Sequence, residues 1–421
     1  MRRDTGCNAI DHAISRRALL AGSAAATAVG VAGKVLPAET KQLKTQQKRI
    51  LQVFLQGGLS QLESWDPKPG TRYGGPFRAI DTSVPGIRIS ELLPHIAQRM
   101  HHLSIVRSID IKTNSHQQGR LFMERGRRAG VFPYVGTIAA KYLAPKTASL
   151  PGYMHVTTRG LDDNTNAFLP AQFAQLKLPG AAAPENLKHS GKLTADAAKR
   201  RNELRRRLSQ RFSGKVGQPA FTDSYDSSYT LADKLLAKKG LFEGEPPPKE
   251  LERYGSHPFG RNCIVARKLL EAGSTCVKVT HHGYDTHAEN FNFHLEQLAE
   301  FDKTFCMLLD DLHDSGMLES TLVLIMSEFG RTPKINQRYG RDHWGTAWSM
   351  ALGGCGIKPG VVIGKTNDEG TAVADREVDG RHLFHTYFRA LGIDTTDHHD
   401  MPGRAIPIGD PSAEAIGELL A

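Results

Sequence analysis

The side chains with the most chemistry to offer stand just beyond short apolar runs. After residues 276–280 comes His281-His282-Gly283-Tyr284-Asp285-Thr286-His287, a carboxylate among three imidazoles. Those are donor types that zinc, iron or manganese take. After 322–326 comes Ser327-Glu328-Phe329-Gly330-Arg331-Thr332-Pro333, and then Gly340-Arg341-Asp342-His343-Trp344, so an acid, a guanidinium and an Asp-His pair again follow an apolar run. After 103–109 comes Lys112-Thr113-Asn114-Ser115-His116, with two hydroxyls beside an amide and an imidazole. A helix starting near Ser115 would also turn free backbone amides toward an anion. Each group has an ordinary explanation: Asp285 and Ser115 as helix caps, Asp342-His343 as a hydrogen-bonded pair, Arg331 in a loop ion pair. Their recurrence at successive run ends is what points to one site.

The apolar runs read as buried strands. They lie at 50–55, 103–109, 153–156, 276–280, 322–326 and 361–363, with helical patterns between them, which argues for a mainly parallel sheet covered on both faces. The clearest helix spans about 287–315, where Phe291, Leu295, Leu298, Phe301, Phe305, Leu308 and Leu312 recur at three or four and Gly316 supplies the stop. Residues 181–255 differ in composition, basic, then rich in Ser and Tyr, then Pro246-Pro247-Pro248, and read as a helical insertion or cap with a stiff spacer.

The chain has 421 residues, 39% hydrophobic and 23% charged, enough apolar material for a core of its own. Its first 38 residues carry Ser15-Arg16-Arg17-Ala18-Leu19-Leu20 and a weakly apolar, small-residue run to Ala32, the order of a twin-arginine export signal. Residues 39–48 follow as a polar linker. No run is long enough to span a membrane. The expected route is the twin-arginine translocase, and the destination the periplasm or beyond. Residues 1–38 hold five of the basic side chains against two acidic ones, so their removal lowers the net charge of +10 by three. Much of the remaining basicity is local: Arg200, Arg201, Arg205, Arg206, Arg207 and Arg211 crowd one helix, whose plainer reading is a solvated face packed through Leu204, Leu208 and Phe212. No nucleic-acid partner is expected. Cys7 lies in the leader, and Cys263, Cys276, Cys306 and Cys355 show no close pairing, so buried free thiols are expected.

Several motifs in fixed order resemble a bacterial twin-arginine-exported family, domain of unknown function 1501, itself similar to the alkaline phosphatase and sulfatase superfamily. They are Gly57-Gly58-Leu59-Ser60-Gln61 through Asp66-Pro67-Lys68-Pro69, Asn114-Ser115-His116, Arg253-Tyr254-Gly255, Tyr284-Asp285-Thr286-His287, the Ser327–Pro333 stretch and Gly340-Arg341-Asp342-His343-Trp344. The resemblance implies a three-layer α/β/α fold with a mainly parallel central sheet, covering 49–421 as one domain. It implies a divalent metal ion (zinc, calcium, manganese or iron) held by Asp285, His287 and His343, with Asp342 and Glu328 beside them. Thr113 or Ser115 with His116 and Arg331 become the catalytic candidates, and Asn114 and Arg341 the substrate contacts. The chain departs from the superfamily at its second metal site, reading Gln56-Gly57 for an Asp and Glu328-Phe329 for an Asp-His pair, for which Glu63 or Asp66 could compensate. Neither hydroxyl falls in a Cys-x-Pro-x-Arg signature, which argues against a formylglycine sulfatase. The implied activity is hydrolysis of a phosphate or sulfate ester, on a small molecule or a glycan. The alternative is a binding or scaffold protein that has kept the fold and recognises an anionic glycan or a cell-surface partner.

Overall fold

The structure, a computed structural model, describes residues 47–145, 147–159, 165–182, 194–216, 219–241, 245–399 and 405–421. The leader with its arginine pair, Cys7, and nearly all of the linker lie outside them.

In chain order the strands include β1 (Arg49–Gln56), β2 (Ala79–Asp81), β3 (Arg88–Ser90), β4 (Leu103–Ile109), β5 (Tyr153–Thr157), β6 (Leu176–Pro179), β7 (Cys276–His282), β8 (Thr321–Met326), β9 (Gly330–Ile335), β10 (Arg341–Trp344), β11 (Trp348–Gly354) and β12 (Val362–Ile363), with short two-stranded pairs after them. The helices are α1 (Pro94–Arg99), α2 (His116–Arg125), α3 (Val135–Leu143), α4 (Ala195–Val216), α5 (Pro219–Ala237), α6 (Pro248–Tyr254), α7 (Pro258–Glu271), α8 (Asn290–Asp314) and α9 (Gly380–Ala390). Eight strands form the central sheet in the order β12-β4-β11-β8-β1-β7-β5-β6. Every pairing in it is parallel except the two made by β11.

The alternation of side chains along each strand explains the layers. On β1, Leu51, Val53 and Leu55 join one core with Tyr254 of α6, Ile264 and Leu269 of α7, and Leu298, Phe301, Phe305 and Leu308 of α8. Ile50 and Phe54 point the other way, to Phe122 of α2, Ile138 of α3 and Phe384 of α9. Burial on both faces is why these strands read as continuous apolar runs. The result is the expected α/β/α sandwich with a mainly parallel sheet. Leu295, counted in the apolar stripe of α8, is exposed. The Arg253-Tyr254 motif ties α6 to α8: both side chains bond Asp311, and the phenol of Tyr254 does so at 2.5 Å. The cysteines at 263, 276, 306 and 355 are buried and free.

Between α3 and α7 the chain makes an antiparallel pair of helices, α4 and α5, joined across their seam by Asn202 to Asp233 and Arg205 to Asp226. The face expected to pack through Leu204, Leu208 and Phe212 does not: all three are more than half exposed. Among the described residues no helix is long and apolar enough to cross a membrane.

Candidate metal centre

Parallel strands end together, so the loops that leave them meet at one edge of the sheet. Leaving β1, Gly57 takes a φ of +120°, and a Cβ there would stand 2.3 Å from the Asp285 amide nitrogen. Only glycine lets the β1 end pass beneath the Asp285 loop that leaves β7. From β8 come Ser327 and Glu328. From β4 come Asn114 and Ser115, where α2 begins. The antiparallel β9–β10 hairpin folds across this edge, with a register shift between Arg341 and His343. Gly345 fixes the hairpin to the β4 loop, since a Cβ there would meet the Thr113 carbonyl at 2.1 Å.

Three imidazoles converge on the Asp285 carboxylate, which is 49% exposed. Nε2 of His343 and of His287 lie 3.1 and 3.2 Å from Oδ1, and Nε2 of His116 lies 3.3 Å from Oδ2. Each ring is held from behind through its other nitrogen. His343 Nδ1 donates to the Asn114 carbonyl at 2.7 Å, His287 Nδ1 to Asp342 at 2.7 Å, and His116 Nδ1 to Glu328 at 2.7 Å. Those partners can only accept, so each neutral ring carries its proton on Nδ1 and turns a bare Nε2 lone pair toward Asp285. Between His287 and His343 the two Nε2 atoms are 2.9 Å apart, a contact in which lone pairs repel unless a cation or a proton lies between them. His116 Nε2 is buried without a well-aligned partner.

This is the outer support that metal-binding histidines use, and His116, Asp285 and His343 bring one ligand atom each within 4.8 Å of one another. His287 adjoins that trio through His343. Imidazole nitrogen with one carboxylate suits zinc, manganese or iron and does not suit calcium, which takes oxygen ligands.

Electrostatics follow the same geometry. Burial opposes ionisation of Asp285, yet hydrogen bonds from His116 and His343, in the form that carries a second proton on Nε2, and from Arg331 outweigh it and hold the carboxyl far below the usual range. Burial alone would lower the His116 pKa, but the carboxylates of Asp285 and Glu328 raise it to about 9. Asp342 is lowered, chiefly by its bond from His287.

Of the residues singled out in the sequence, Asp285, His287 and His343 come together as expected. His116, expected among the catalytic groups, joins them. Glu328 and Asp342, expected among the ligands, stand one step back as acceptors for His116 and His287. Asn114 acts through its backbone on His343, while its side chain accepts from the Gly345 amide at 2.8 Å. The Thr113 hydroxyl donates to Gln118 at 2.9 Å and accepts from the Ser115 amide. The Ser115 hydroxyl caps no helix amide and has no partner among the described residues. His281 turns away to Tyr284 and Glu300, and His282 turns to Thr157.

The two arginines are a correction. Arg341 was expected to grip an anion, but it is fully buried and all five of its N–H groups are taken. Its Nε and Nη2 hold Glu63 at 3.1 and 2.8 Å, and the rest go to the carbonyls of Thr332, Pro333 and Tyr73. Arg331 is equally buried, bound to the carbonyls of Gly57, Gly58 and Arg341 and, at 2.5 Å, to Asp285. Neither Glu63 nor Asp66 completes a second metal site: Glu63 is committed to Arg341 and Asn290, and Asp66 to Thr366, Lys68 and Arg107. Phe329 instead packs its ring 4.8 Å from that of His116 and 4.7 Å from that of His343.

Residues 47–420 match a family model whose description reads "Protein of unknown function (DUF1501)". The chain belongs to that family. Several solved structures resemble this DUF1501 chain at low identity. The PsFucS1 sulfatase from Pseudoalteromonas sp. is 13% identical, covers 86% of this chain and 72% of its own, and has a TM-score of 0.39. The alkaline phosphatase from the Antarctic bacterium TAB5 is 14% identical, with 83% and 100% covered and a TM-score of 0.36. The lipoteichoic acid synthase LtaP from Listeria monocytogenes is 10% identical, with 90% and 78% covered and a TM-score of 0.36. No curated protein matches. At these identities the likenesses say nothing about the chemistry of the site, which rests on its own residues.

Proposed function

We propose that this protein is a metal-dependent hydrolase of phosphate or sulfate esters, exported by the twin-arginine pathway to the periplasm or beyond. One observation carries the reading: His116, His287 and His343 each give Nδ1 to an outside acceptor and turn Nε2 to Asp285. Four side chains thus present donor atoms to one half-open point, and zinc, manganese or iron fits them. A divalent ion held there would act as a Lewis acid toward an ester oxygen.

The rest falls to the chain's own groups. With both arginines enclosed, recognition of the anion rests on the first backbone amides of α2 and on the cation itself. Ser115, exposed at the start of that helix and unpartnered, is the better placed of the two hydroxyls to attack; Thr113 is tied to Gln118. The export reading is supported by Ser15-Arg16-Arg17 and the small-residue run after it.

A second reading, a scaffold that has kept the fold without the activity, is favoured by one contact: Arg331 Nη2 holds the same Asp285 oxygen a metal would use. Elemental analysis of protein purified without chelator, followed by phosphate- and sulfate-ester turnover, separates the two. About one equivalent of a transition metal with turnover that Ser115→Ala abolishes and Thr113→Ala spares supports the hydrolase. Metal-free protein, inert after reconstitution, supports the scaffold.

A further inference from the structure

The helix α4 is packed the wrong way round for a helix that serves only its own fold. Its half-buried positions are Ala197, Ala198, Asn202, Arg205, Ser209 and Ser213, all small or polar side chains. Arg205 lies over the Tyr229 ring at 4.4 Å and pairs with Asp226, and Asn202 reaches Asp233 at 3.1 Å. The apolar stripe faces outward instead. Leu204, Leu208 and Phe212 are 58%, 56% and 52% exposed. At one residue per 100° they fall within an arc of about 80°, and they rise about 12 Å along the axis.

Cations surround that stripe. Arg200, Arg207 and Arg211 lie along one side of it on the helical wheel, and Arg201 and Lys215 stand beyond its two ends. All five are exposed, with no ion-pair partner among the described residues. Across α4 only Asp196 and Glu203 oppose eight Lys and Arg residues.

We infer that this face docks on an anionic lipid bilayer, with Leu204, Leu208 and Phe212 entering the headgroup layer and the surrounding guanidinium groups meeting lipid phosphates. A polyanionic glycan would answer the cations and leave three apolar side chains in water. A second copy of the face would answer the apolar groups and set like charges against each other. An anionic bilayer answers both, and arginine reaches its phosphates while its alkyl stem stays in the apolar layer.

The test uses the full chain and a probe on α4 itself, so that the basic leader, common to every variant, does not enter the reading. Phe212→Trp places a reporter on the stripe; Trp65, Trp344 and Trp348 lie outside α4 and α5. Its emission is expected to shift to the blue with vesicles of phosphatidylcholine containing phosphatidylglycerol, and not with phosphatidylcholine alone. Arg200→Gln, Arg207→Gln and Arg211→Gln together are expected to raise the lipid concentration at half-shift at least tenfold, as is high salt. Leu204→Ser with Leu208→Ser is expected to abolish the shift. Absence of a shift, or an equal shift on neutral vesicles, overturns the inference. So do two other results in the absence of a shift: heparin retention that needs the arginines but not Leu204 and Leu208, which identifies a glycan, and a dimer that Leu204→Ser with Leu208→Ser dissolves, which identifies a second copy.

Discussion

Two charged clusters lie side by side at the carboxyl edge of the sheet, and only one of them is finished. Around Glu63 both carboxylate oxygens meet the Arg341 guanidinium, Asn290 donates to the same group, and every N–H of the arginine has an acceptor. Burial would raise the Glu63 pKa, but Arg341 beside it lowers it. A few residues away, three imidazole nitrogens crowd the Asp285 carboxylate, two of them face each other, and the group opens to solvent. A buried ion pair that satisfies itself holds the β9–β10 hairpin to the core. A half-open cluster with surplus lone pairs is prepared to bind something.

The largest effects should separate these clusters. Asp285→Ala is expected to remove metal entirely, read by elemental analysis, at a smaller loss of stability, because the carboxylate is half exposed and the Arg331 guanidinium it leaves keeps the carbonyls of Gly57, Gly58 and Arg341. Glu63→Ala is expected to do the reverse in kind, costing about 3–5 kcal/mol in denaturant unfolding by leaving the Arg341 charge buried and unpaired. Equal losses of stability in both variants would erase the distinction. Next come the residues behind the imidazoles: Glu328→Gln and Asp342→Asn should each weaken metal affinity roughly 10- to 100-fold in competition with a chelating dye. The smallest effect is that of pH. The metal-free His116 imidazole, raised to about 9, keeps its proton at neutral pH and must release it to bind metal. Apparent affinity should therefore climb with pH, by at most about tenfold per unit from this residue, and level off above the raised pKa. An affinity flat between neutral pH and that value would remove His116 from the ligands.

The strands of the sheet were legible because burial on both faces writes itself as an apolar run, and all six expected runs are β-strands. What an apolar run does not carry is direction, so β11, inserted antiparallel between β4 and β8, went unread. The β9–β10 hairpin looked like a loop because it is short, polar and contains Pro333. In the site, Asp285, His287 and His343 were legible from their positions after strands. His116 reads as a catalytic group in the sequence, and only in three dimensions does its Nε2 stand beside Asp285 and His343. Arg341 misled for a related reason. Its partner Glu63 is 278 residues away in sequence, and nothing local says that the charge is already spent. On α4, the three-and-four spacing of Leu204, Leu208 and Phe212 suggested a packed face, but periodicity gives an apolar stripe without saying what covers it.

Anomalous diffraction from crystals grown with zinc tests the metal centre most directly. The expected result is one strong peak at the zinc edge, bonded to Nε2 of His116 and His343 and to the Asp285 carboxylate, with Arg331 withdrawn from Oδ1. An empty position with Arg331 still on Asp285, in crystals soaked to saturation, would contradict it.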